Sequence, residues 1–402
     1  FLPLPLVGIL PSMKITRKSP ELLILLMTVG GAISWAVWLN LLNNFAIEKI
    51  DFTGAEIGIL QSLREIPGFL AFTVILVLAF IREQKLAYIS LALLGIGVMA
   101  TGLVQTNMPF YLATIVMSVG FHYFETINSS LTLQWIDKEK TAKFLGKVIA
   151  TRSAASIIAF ALVWLLFQQF HMEFLLIYMI GGGISVAIVV YCWQHFSFFP
   201  EKVSQTKKII LRKRYWLYYA LQFMSGARRQ IFMVFAGFLM VEKFEFTVAE
   251  ISLLLLANAA INVVVAPKIG KLIHRFGERR ALIFEYVGLA FIFAGYALVE
   301  SSYVAVFLYI ADHLFFSIYI ALKTYFQKIA DPADIASSAG VSFTINHIAA
   351  VFIPVVFGFI WLYSPSLVFF AGAGMAVVSL LLALNMPTKP SAGNEVLLGR
   401  FS

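Results

Sequence analysis

Histidines, carboxylates and arginines stand in the middle of long apolar runs of this 402-residue chain. An ionised side chain at bilayer depth costs at least about 2.5–3.5 kcal/mol, so it normally faces a partner or a water-filled cavity. The clearest group is Ser118, His122, Glu125, Ser129 and Thr132, spaced i, i+4, i+7, i+11 and i+14 along one helix face. His122 and Glu125 are one turn apart, a pair able to hold a proton whose position depends on hydration and on a neighbouring ligand; a satisfied structural pair is the competing reading. A second apolar run carries Asp312 and His313, with Asp312, Tyr319 and Lys323 on one face and His313, Ser317 and Thr324 on the next. A third stripe is Tyr218, Gln222, Ser225 and Arg229, from which Arg228 points about 100° away. We expect Arg229 to face a cavity and Arg228 to make a structural ion pair with a carboxylate.

Other polar groups are less decisive. Arg64 and Glu65 precede Pro67 and either neutralise each other near a kink or act on a ligand. Asn258 takes the place of Arg64 at a separation of 194 residues, and Asn262 follows one turn later. Arg152, one turn inside its run, is expected to snorkel to water. His347, beside Asn346, is a hydrogen-bond donor candidate, and Trp35 either stacks on a ligand or packs. The expected ligand contacts are therefore Arg229, Arg228, Arg64, Trp35, Asn258, Asn262 and His347. Proton handling is expected from some of His122, Glu125, Asp312, His313 and Glu65. Arg64, Arg228 and Arg229 nearly cancel Glu65, Glu125 and Asp312, but the forked arginine donors suit carboxylates or phosphates. That favours a small organic anion or zwitterion.

The elements that must position these groups are membrane-spanning helices. Hydrophobic residues make up 60% of the chain and charged ones 13%, against about 45–50% and about 25% in soluble domains. Apolar segments of near-spanning length fall at 22–47, 57–81, 86–104, 109–135, 145–168, 173–193, 215–241, 248–269, 280–299, 303–327, 339–363 and 366–386. The expected fold is thus all-α, with about twelve transmembrane helices. Alternate connections hold about 23 of the 30 lysines and arginines, and the other set holds only Lys49 and Lys243. Loop charge of this kind lies on the cytoplasmic side, which places both termini inside. The net charge of +9 therefore reflects topology and contact with lipid headgroups, and no nucleic acid partner is expected.

The chain also repeats itself. IEKIDFTGAEIGIL, residues 47–60, returns without a gap as VEKFEFTVAEISLL, residues 241–254, with eight of fourteen positions identical. A fixed offset of near half the chain points to two similar halves, and parallel membrane-embedded halves are a transporter architecture with the ligand site between them. The expected organisation is an N-terminal segment 1–20, a six-helix bundle 21–193, a basic cytoplasmic linker 194–214, a second bundle 215–386 and a cytoplasmic tail 387–402. Residues 1–12 precede the basic group Lys14, Arg17 and Lys18, and Met13 is the expected natural start. The single cysteine, Cys192, excludes an internal disulfide framework; no metal-ligand spacing is present and no cofactor is expected.

Residues 270–280, GKLIHRFGERR, are similar to the G-x-L-x-D-R-x-G-R-R signature of the major facilitator superfamily. Gly270, Leu272, Arg275, Gly277, Arg279 and Arg280 match, while His274 stands where that family has Asp; the corresponding first-half loop is only Ile81–Lys85, IREQK. The resemblance implies two six-helix halves, cytoplasmic termini, alternating access, and a conformational latch formed by Gly270, His274, Arg275, Gly277, Arg279 and Arg280. Glu285 is either a latch partner or a solvated end residue. Together these readings point to a monomeric secondary transporter of the cytoplasmic (inner) membrane of a bacterium, proton-coupled and not an enzyme. No G-x-x-x-x-G-K-[ST] loop is present to drive transport with ATP. A proton-antiport exporter of amphipathic drugs and a non-transporting receptor or assembly factor of the same fold are the alternatives.

Overall fold

The computed structural model describes residues 18–78, 80–136, 138–200, 212–331 and 335–399. Met13, the segment 1–12 and the linker lysines Lys202, Lys207 and Lys208 lie outside them. About 85% of the described residues are helical. The first half of the sequence forms α1 (Pro20–Ile50), α2 (Gly54–Phe69), α3 (Val74–Leu78), α4 (Glu83–Thr101), α5 (Asn107–Trp135), α6 (Lys138–Gln168) and α7 (Phe174–His195). The second forms α8 (Trp216–Gln230), α9 (Gly237–Glu242), α10 (Val248–Phe276), α11 (Glu278–Leu298), α12 (Ser302–Phe316), α13 (Ile320–Ile329), α14 (Ile335–Tyr363) and α15 (Pro365–Leu384).

Among the described residues, eight helical stretches are long and apolar enough to cross a membrane by length and composition. The remaining runs, around α2, α5, α8 and α10, are shorter, interrupted or more polar. Three expected spans are interrupted helices. A 3₁₀ turn over Leu70–Thr73 separates α2 from α3 just after Pro67, where the proline removes a backbone donor. A π-helical segment, Ile231–Ala236, joins α8 to α9, and a 3₁₀ turn over Ser317–Tyr319 joins α12 to α13.

The repeated segment proves to be a helix–turn–helix corner built twice. At its first half the helix ends with Asp51 in the left-handed region, φ 58°, and in the second with Glu245, φ 56°. The next amide then reaches back six residues, Phe52 N to Ala46 O at 2.9 Å and Phe246 N to Met240 O at 3.0 Å, closing a Schellman-type end. Thr53 and Thr247 start the following helices, each in a capping box with Glu56 or Glu250. Partial burial raises the Glu56 carboxyl, but bonds from the Thr53 hydroxyl and amide outweigh it and hold it below its ordinary value. The Phe-Thr-x-Ala-Glu identities are therefore what this corner requires.

These two corners lie at the same end of the molecule and bind across it. Asn40 exchanges hydrogen bonds with Ser252 at 2.9 and 3.1 Å, and Asn44 Nδ2 donates to Phe246 O at 2.7 Å. Alongside, α2 packs down the length of α14, while α6 packs along α10. The α2–α14 seam is close enough to exclude side chains: a Cβ on Gly58 would lie 2.3 Å from Pro354 O, and one on Gly54 2.2 Å from the Trp361 ring. Gly58→Leu is accordingly expected to pry this seam open. Spin labels on Lys49 and Tyr363, both exposed, should report a longer and broader distance in the variant; an unchanged distance would show that the seam accepts a side chain.

Candidate functional site

Nearly two turns on from Gly58, α2 carries Arg64 and Glu65, both only 5% exposed. Their side chains pair directly, and the Ser118 hydroxyl of α5 donates to the Arg64 carbonyl. The Arg64 guanidinium lies 5.3 Å from the Trp35 ring centroid and 6.0 Å from that of Trp38. Trp35 in turn stacks on Phe121 at 4.2 Å, so it packs beneath the arginine. His122 of α5 and His347 of α14 meet edge-to-face with centroids 5.4 Å apart. The other Glu65 oxygen lies 3.6 Å from His347 Nε2. Gly68 makes this convergence possible, since a Cβ there would come within 2.4 Å of the His347 ring and 2.6 Å of His122. Arg229 of α8 is half-buried and acts electrostatically on both Glu65 and His122. Arg64, Glu65, His122, His347 and Arg229 thus converge from both halves of the sequence.

Arg229 also lines a small internal chamber with Ser225, Arg228, Glu285, Asp312 and Phe316. Arg228, Glu285 and Asp312 are 3%, 1% and 2% exposed. Arg228 rests over the Tyr286 ring at 4.4 Å, its Nε donates to Met224 O at 3.2 Å, and it interacts electrostatically with both carboxylates. Arg228 Nη1, Glu285 Oε2 and Asp312 Oδ2 have no hydrogen-bond partner among the described residues. The chamber offers about 10 Å³ to the centre of a water molecule, room for one. Both adjacent arginines line this chamber; Arg228 lies against the two carboxylates, whereas Arg229 also acts on Glu65 and His122 at the seam. Asp312 and Tyr319 both face α8, Tyr319 through hydrogen bonds of 2.6 and 2.9 Å with Gln222.

Several expectations need correction. Glu125 does not share a proton with His122; its carboxylate pairs with Arg152 at 2.7 Å. Arg152, which keeps 42% of its side chain exposed, reaches across to α5. The helical spacing is right, but His122 is drawn by residues of α2 and α14 and Glu125 by α6. His313 bonds to Asn258 at 3.1 Å and Ser317 to Asn262 at 3.1 Å, so Asn258, Asn262 and His313 tie α10 to α12. Glu285, 1% exposed, is not a solvated end residue but lines the chamber. Its depth in α11 was visible in the sequence, but the chamber needs the packing of α8 and α12 against that helix.

At the 270–280 turn, Gly277 has φ 84° and ψ 159°, a conformation essentially confined to glycine. Arg279 donates to Leu384 O at 3.0 Å and to Thr388 Oγ1 at 3.4 Å, neutralising the C-terminal end of α15. Arg275 lies 5.5 Å from the Phe276 ring, Arg280 is exposed, and Lys328 pairs with Glu278 at 2.7 Å. The surroundings of Gly270 and the side chain of His274 lie outside what is described.

The family model of the major facilitator superfamily matches residues 22–354 and 218–397. The chain belongs to this superfamily of membrane transport proteins. No curated protein matches it in sequence. Among solved structures, it is similar to the nucleoside transporter NupG, with a TM-score of 0.74 at 17% identity over 91% of this chain and 98% of that one. It is also similar to a bacterial homologue of the human lysosomal transporter Spinster in an inward-facing, occupied conformation (TM-score 0.75, 14% identity, 95% and 98% covered). A third likeness is to the peptide transporter POT in complex with sulfate, with a TM-score of 0.69 at 14% identity over 93% and 95%. At such identities the likeness establishes the superfamily fold and carries no substrate.

Proposed function

We propose that this superfamily member is a secondary transporter moving a small organic anion or zwitterion by alternating access, with proton coupling. In this reading twelve spans form two six-helix halves, 21–193 and 215–386, with both termini on the cytoplasmic side of a bacterial inner membrane. The observation that carries it is Arg229: a half-buried guanidinium at the seam, whose Nε lacks a hydrogen-bond partner among the described residues. Such a group suits a carboxylate or phosphate brought by the solute. The tight α2–α14 seam and the Asn40–Ser252 bonds supply the closed end, and His347, moving with α14, leaves Glu65 and His122 when that end opens.

Coupling follows from the position of Arg229 between two sites. On this reading its charge, at the wall of the chamber, adds to that of Arg228 opposite Glu285 and Asp312 while it is unliganded. An anion on Arg229 takes up that charge and leaves one arginine for two carboxylates, which makes a proton on the pair more favourable. By linkage, a proton on the pair strengthens anion binding equally.

The test is a pH-sensitive measurement on detergent-purified protein titrated with organic acids, amines and lipophilic cations. Proton uptake with an organic acid, lost in Asp312→Asn, is the expected result. Proton release on binding lipophilic cations would instead identify a drug exporter. Binding of the acid without proton movement would make the protein a uniporter, and no response to any compound would favour a receptor or assembly role.

A further inference from the structure

The geometry points to a transition-metal site formed by Glu65, His122 and His347, in which one divalent ion of the zinc class bridges the two halves of the chain. One ligand atom from each of the three residues lies within 4.8 Å of the others, and all three residues are buried. Ligands about 2.1 Å from a tetrahedral zinc ion stand roughly 3.4 Å apart, and the Glu65–His347 pair already stands at 3.6 Å. Closing the widest pair takes on the order of 1 Å, within reach of side-chain rotation. Two imidazoles and one carboxylate select zinc, cobalt, nickel or iron(II) over magnesium and calcium, which demand all-oxygen shells.

The surroundings are arranged as an outer shell. Arg64 holds Glu65 Oε1 and leaves Oε2 for the ion, and hydrogen-bonded ligating carboxylates are the rule at metal sites. The charges of Arg64 and Arg229 oppose a dication and lower its affinity, which makes the site a reversible clamp. The clamp is specific to one conformation. Glu65 and His122 belong to α2 and α5, whereas His347 comes from α14, so motion that parts α2 from α14 breaks the ligand set.

The experiment uses purified full-length protein and metal alone, which separates it from any question of transported solute. Cobalt(II) should give a saturable visible absorption at one equivalent, displaced by ZnCl2 and unaffected by MgCl2. ZnCl2 should raise the thermal unfolding midpoint. His122→Gln and His347→Gln should each weaken binding at least ten-fold, while His195→Ala, at an exposed histidine, should leave it unchanged. Absence of a saturable cobalt signal in the wild-type protein would overturn the proposal without recourse to any variant. Equal affinity in wild type and both cluster variants, or loss of binding in His195→Ala, would overturn it as well.

Discussion

Arg229→Gln is expected to weaken binding of the transported anion by about 10–100-fold while leaving the thermal unfolding midpoint near that of the wild type. The magnitude is the loss of hydrogen bonds to a charged partner, about 1.5–3 kcal/mol. Stability is spared because Arg229 is half-buried and has an unpartnered Nε. Arg229→Lys retains the charge but not the planar fork, so it should recover only part of the affinity. Isothermal titration with the organic acid found in the proton assay gives the comparison. Equal affinity in wild type and Arg229→Gln would remove this residue from the solute site.

Arg228→Met is the opposite case, with its effect on the fold. Removing this guanidinium leaves Glu285 and Asp312 facing each other at 1% and 2% exposure. Loss of one member of a buried charge cluster costs about 3–5 kcal/mol, because the remaining charges are uncompensated. The triple variant Arg228→Met, Glu285→Gln, Asp312→Asn removes all three charges and should regain most of that loss. Denaturation in detergent micelles measures both. A single variant as stable as the wild type would mean that the chamber is already neutral without Arg228. The adjacent residues thus have separable readouts, affinity for Arg229 and stability for Arg228, although they are neighbours on α8.

The π-helical segment Ile231–Ala236 begins directly after these arginines and Gln230. Such segments insert an extra residue into an α-helix and often accompany functional sites. Here it resets the register of α9 relative to α8. The arginines can therefore face the chamber and the seam while α9 still delivers Glu242 to the Trp361 indole, an N–H donation of 2.7 Å.

What the sequence determined by itself are the features set by short-range physics. Apolar run length marked the helices, loop charge ordered their expected directions, and the 194-residue repeat located two equivalent corners. Thr53 with Glu56, and Thr247 with Glu250, each act three residues apart, so their capping role is local. The helical period likewise sets Arg228 and Arg229 about 100° apart on α8. Tertiary structure alone decided which polar groups are partners. His122 and Glu125 are one turn apart, yet they join different clusters, because α2 and α14 approach one and α6 the other. His347 lies 282 residues from Glu65 in the sequence, and they meet because Gly58 and Gly68 permit α2 to lie against α14. Spacing along one helix assigns a side chain to a face. What that face meets depends on the packing of distant segments.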